Sequence, residues 1–153
     1  MDGMAKVFSV IGDFATRVLK AVLKLDLIFD CQWKSKKAPT LGITKGGSCF
    51  QHELLHEKSN ASFSIGFLWN KDDTKSQLFI SVNNAHMLLS GKYLFATPIC
   101  HNEEPSNEEG EMWYTASESI NNDYFSETTS ESRKDEIIEQ ILTEVVKSLN
   151  DQS

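Results

Sequence analysis

Apolar residues change their spacing twice along this chain. They recur at helical intervals from Met4 to Phe29, at every second position through the middle, and at helical intervals again over 133–150. Period 3.6 marks one-sided helices and period 2 marks half-buried strands. A chain ordered this way suits a sheet that buries one face against two amphipathic helices.

In the first segment Val7, Val10, Ile11, Phe14, Val18, Ala21, Val22, Leu25 and Ile28 form one stripe. Lys6, Ser9, Asp13, Thr16, Arg17, Lys20 and Lys24 fill the opposite face. β-Branched residues lower helix propensity slightly, so burial of the stripe must hold this helix. Gly12 weakens its middle without breaking the pattern. In the last segment Ile137, Ile138, Ile141, Leu142, Val145, Val146 and Leu149 form a continuous stripe. Ser130 or Ser132 can cap its start, and Asp135 and Glu136 suit the positive end of the helix dipole.

Between the helices, 33–39 reads as a basic connector carrying Lys34, Lys36 and Lys37. Residues 41–44 suggest a short strand followed by a Gly46-Gly47 turn. Residues 62–69 and 77–82 are rich in Phe, Ile, Leu and Val and flank a polar run, the pattern of an antiparallel hairpin. Segments 92–99 and 111–117 are further strand candidates. The polar stretches 101–110 and 118–131 read as acidic loops. The expectation is a single α+β domain over 1–153. Its antiparallel sheet has about five to six strands, lies within 41–117, and packs against long N-terminal and C-terminal helices at 4–29 and 133–150.

Charge is distributed unevenly. The net charge is −7, yet residues 1–100 hold twelve Lys/Arg against eight Asp/Glu, while 101–153 hold three against fourteen. No lysine or arginine lies between Lys92 and Arg133, where Glu103, Glu104, Glu108, Glu109, Glu111, Glu118, Asp123, Glu127 and Glu131 all occur. Such a surface repels nucleic-acid phosphates and steers a basic protein toward it. Met112-Trp113-Tyr114 and Tyr124-Phe125 sit among the acids. Steering charge beside aromatic anchors is how protein-binding surfaces are built. The expected partner-binding residues are Glu103, Glu104, Glu108, Glu109, Glu111, Trp113, Tyr114, Asp123 and Tyr124.

Cys31, Cys49 and Cys100 are odd in number and widely spaced, as in reduced cytoplasmic chains. Asp13, Arg17, Lys20 and Lys24 interrupt the N-terminal apolar run, which argues against a signal peptide or a membrane span. The first thirty residues carry four basic and four acidic groups, so packing on the sheet is expected rather than a membrane-surface role.

One motif points to chemistry. His52-Glu53-Leu54-Leu55-His56 resembles the H-E-x-x-H segment of zinc peptidases over five residues. On a helix, His52 and His56 would ligate one metal and Glu53 would act as general base. On a strand, Phe50, His52, Leu54 and His56 share one face and Glu53 falls on the other, which separates the three groups. His86, His101 and Glu103 stand in no second motif that would supply a third ligand.

The reading that follows is a non-catalytic protein-binding module without metal or cofactor, monomeric or dimeric, with an acidic docking face for a basic partner. Its size and charge resemble those of bacterial immunity proteins that neutralise nuclease-type toxins. A secretion-type chaperone for an effector and a zinc-dependent hydrolase built on His52, Glu53 and His56 are the alternatives.

Overall fold

A computed structural model of the chain describes residues 4–29, 33–35, 40–44, 47–56, 61–69, 76–82, 94–96 and 112–151. Among them helix α1 spans Met4–Phe29, and strands β1 (Trp33–Ser35), β2 (Thr40–Thr44), β3 (Gly47–His56), β4 (Ala61–Trp69), β5 (Ser76–Val82), β6 (Leu94–Ala96) and β7 (Met112–Ala116) follow. Helices α2 (Glu118–Phe125) and α3 (Glu131–Asp151) come last. The architecture is α+β.

All described strands join one antiparallel sheet in the order β1-β3-β4-β5-β7-β6, with β2 also paired to β3. It has seven described strands, against the five to six expected. The additional pairing comes from the supposed basic connector. Trp33, Lys34 and Ser35 form a short strand opposite His56, Leu55 and Leu54. β3 is the hub, because its ten residues pair with β1 and β2 on one side and β4 on the other.

Cross-strand partners point to the same face of a sheet. Phe50 faces Phe67, Leu54 faces Phe63, and Ile65 faces Ile80, so these side chains form one apolar floor. α1 buries Phe14, Val18, Ala21, Val22 and Leu25 in the same cluster, and α3 buries Ile137, Ile138, Ile141, Leu142, Val145 and Val146 there. Phe14 is central. Its ring meets Phe67 at 5.2 Å, Phe50 at 6.0 Å and Tyr124 at 6.3 Å, all edge-on.

The segment 118–131 is not a loop. Its first eight residues form α2. Ser117 is extended and its hydroxyl accepts from the Ile120 amide at 3.3 Å, so the helix has a capped start despite few apolar residues. α3 begins at Glu131 rather than 133 because Ser130 caps it. The Ser130 hydroxyl accepts from the Arg133 amide at 3.2 Å, and its carbonyl accepts from the Lys134 amide at 3.1 Å. The expected acidic loop 101–110 lies outside the described residues. Among the described residues, no helix is long and apolar enough to cross a membrane.

Candidate functional site

The corner where β7 turns into α2 is built by one buried amide. Asn121 accepts from the Leu78 amide of β5 at 2.9 Å through Oδ1 and donates to the Ala116 carbonyl at 3.2 Å through Nδ2. Both halves of the side chain are satisfied, as burial demands. Ile120 and Tyr124 turn inward from the same helix.

Beside this staple lies a cleft of about 490 Å³, lined by Ser76, Gln77, Ala116, Glu118, Asn121, Asn122 and Phe125. Glu118 and Asn122 are exposed on α2, and Gln77 is exposed on β5. Phe125 forms an aromatic wall, held against Phe67 at 5.7 Å and Tyr124 at 4.9 Å. A carboxylate, amide and hydroxyl oxygens and a ring face suit the cationic head of a lysine or arginine. The Glu118 carboxylate disfavours an anion.

A second charged seam binds α1 to α3. The Arg17 guanidinium is 7% exposed; it donates to Asp135 at 2.8 Å and to the Glu131 carboxylate. Lys20 reaches Asp135 at 3.2 Å and Lys24 reaches Glu139 at 2.8 Å. Burial works against the charge on Arg17, but its bonds to the two carboxylates outweigh that and raise its pKa. Those bonds also lower the pKa of Glu131. Burial pushes Asp135 upward, while Arg17 and Lys20 together hold it below its ordinary value. This seam spends its charge on structure.

The expected site residues do not all converge. Glu103, Glu104, Glu108, Glu109 and Glu111 lie outside the described residues. Trp113 pairs with Ser81 in the sheet. Tyr114 and Tyr124 are core residues, 2% and 4% exposed, and so are not surface anchors. Apolar area is worth more buried against Phe14 than held in water, and burial also raises the pKa of the Tyr124 hydroxyl. Asp123 is exposed, with Arg133 at 3.4 Å.

No protein-family model, curated protein or solved structure matches this chain.

The H-E-x-x-H segment is strand β3, so the strand alternative holds. His52 and His56 are buried on the core face, and burial lowers the pKa of His52. Four residues of strand set the two histidines roughly 13 Å apart. Glu53 points to the opposite face, which removes the helical-turn arrangement that the peptidase motif requires. Among the described residues no three His, Cys, Asp or Glu side chains are grouped to hold a metal ion.

Sequence reasoning missed Asn121, Asn122, Gln77 and the inward turn of Arg17. A hydroxyl at Ser117 followed by Glu118 is an N-cap signature that could have revealed α2. No local signal marks the long-range bonds of Asn121 and Arg17.

Proposed function

We propose that this chain is a non-catalytic docking protein for a basic protein partner, which it receives at the α2 corner. The observation that carries the reading is the cleft beside Asn121, where Glu118, Asn122, Gln77 and the Phe125 ring surround a space suited to one cationic side chain. Net charge supports it at longer range. The chain from residue 101 onward holds fourteen acids and three bases, and such a field accelerates encounter with a basic partner. Glu103, Glu104, Glu108, Glu109 and Glu111 contribute to that field, and Asp123 adds charge on α2 itself.

The most concrete form of this role is an immunity or inhibitor protein that occludes the basic active site of a nuclease-type toxin. Recognition then divides into two parts. The acidic field sets the rate of association, and insertion of a lysine or arginine at the α2 corner sets the lifetime of the complex.

The test uses an arginine-rich peptide as probe and follows amide resonances during titration. Shifts should concentrate at Gln77, Glu118, Asn122 and Phe125 and fade as salt rises. Glu118→Gln should weaken binding about tenfold, equivalent to ~1.4 kcal/mol. Shifts scattered over the surface, or an affinity indifferent to Glu118→Gln, would refute the assignment.

A further inference from the structure

α1 shows more apolar surface than its packing uses. Phe8, Leu19, Leu23 and Leu27 are 57%, 49%, 66% and 89% exposed. With Gly12 and Thr16 they fall at 8, 12, 16, 19, 23 and 27, a run of four- and three-residue steps along one side of the helix. Lys20 and Lys24 reach from the other side toward α3. The apolar run is therefore a flank facing away from α3, separate from the stripe that packs on the sheet.

We propose that this flank is a self-association surface on which two copies of the chain pair through antiparallel α1 helices. Two features identify a second copy as the occupant. First, the run is complementary to itself when reversed. Aligning Phe8 of one copy with Leu27 of the other brings Gly12 opposite Leu23 and Thr16 opposite Leu19, each pair occurring twice about a two-fold axis. Secondly, Gly12 is an open notch, because a Cβ built there meets nothing within 4 Å. A leucine from a facing helix can enter it as a knob enters a hole.

Along roughly 28 Å of helix, a pairing of this kind covers on the order of 600 Å² per copy, the lower end of specific interfaces. A pairing of this size is expected to come apart on dilution. The surface lies on α1, whereas the docking cleft is on α2, so either proposal can fail without the other.

Sedimentation equilibrium on the full chain tests the pairing. In the high micromolar range the mass should be twice the chain's 17.3 kDa and should fall toward it on dilution. Leu23→Asp changes an exposed side chain and should yield a monomer with an unaltered circular dichroism spectrum. Gly12→Leu fills space that is empty in the single copy, so it should leave the fold intact but raise the dissociation constant at least about tenfold. A 17.3 kDa species at every concentration, or a dimer indifferent to Leu23→Asp, overturns the proposal. A dimer that survives Gly12→Leu unchanged overturns the antiparallel register.

Discussion

Gly66 stands in the interior of β4, paired with Gln51 on one side and Phe79 on the other. Its neighbours Ile65 and Phe67 face the helices, so a side chain at 66 would project from the far face of the sheet. There the built Cβ lies 2.1 Å from the Phe50 carbonyl oxygen and 2.8 Å from two ring carbons of Phe79, where ordinary contact begins at 3.4 Å. The Phe79 ring can tilt. The carbonyl belongs to the nine-pair β3–β4 ladder and can retreat only if β3 moves away. Gly66→Ala therefore falls at the upper end of overpacking penalties, about 3 kcal/mol. Reduced freedom of the unfolded chain offsets roughly 0.7 kcal/mol of that. The net loss is about 2 kcal/mol, or a fall in Tm of roughly 4–8 °C for a chain of this size. Strand propensity alone predicts the opposite sign, since glycine is a poor strand former. Gly12→Ala is the control, because open space surrounds it and a helix interior gains about 1 kcal/mol from the change. Urea unfolding of dilute protein, followed by tryptophan fluorescence, gives both midpoints. A Gly66→Ala midpoint equal to or above that of the unsubstituted chain would show that the strands part at no cost, and the reasoning would fail.

Asn121→Ala removes two hydrogen bonds and strands the Leu78 amide, so it should cost about 2–4 kcal/mol and accelerate hydrogen exchange at Leu78 before the rest of β5. Arg17→Met should cost less, about 1–2 kcal/mol, because Glu131 is exposed to water and Asp135 keeps Lys20 when the guanidinium leaves. The folded pKa of Asp135 lies below its ordinary 3.8, so its contribution is present above pH 3.8 and is lost as pH falls below it, where the unfolded chain protonates first. Acid unfolding curves should accordingly show a shallower loss below that pH for Arg17→Met than for the unsubstituted chain.

The two helical periods and the paired runs of β4 and β5 are visible in the sequence because burial imposes them on every turn or every second residue. The α+β class follows from that order. What stays hidden depends on single long-range contacts. Arg17 lies on the polar side of its own helix, and only α3 makes it an interior residue. α2 has Ile120, Tyr124 and Phe125 but no extended stripe, so its stability comes from the Ser117 cap and the Asn121 staple. Tyr114 and Tyr124 stand among acids in sequence, yet alternation and helical phase turn them inward. Charge density in the sequence therefore does not say which of these side chains reach the surface.

The Arg17 seam has a consequence for the order of assembly during synthesis. The guanidinium meets the Glu131 carboxylate across 114 residues of chain. At 5–20 residues per second, a ribosome needs roughly 6–23 seconds to make that stretch. Throughout that interval α1 presents an apolar face and a cation whose counterions have not yet been synthesised. The sheet can pair as its strands emerge, but the helical layer closes only with α3. In the cell, the nascent chain is most exposed to aggregation, and most accessible to folding helpers, just before α3 arrives.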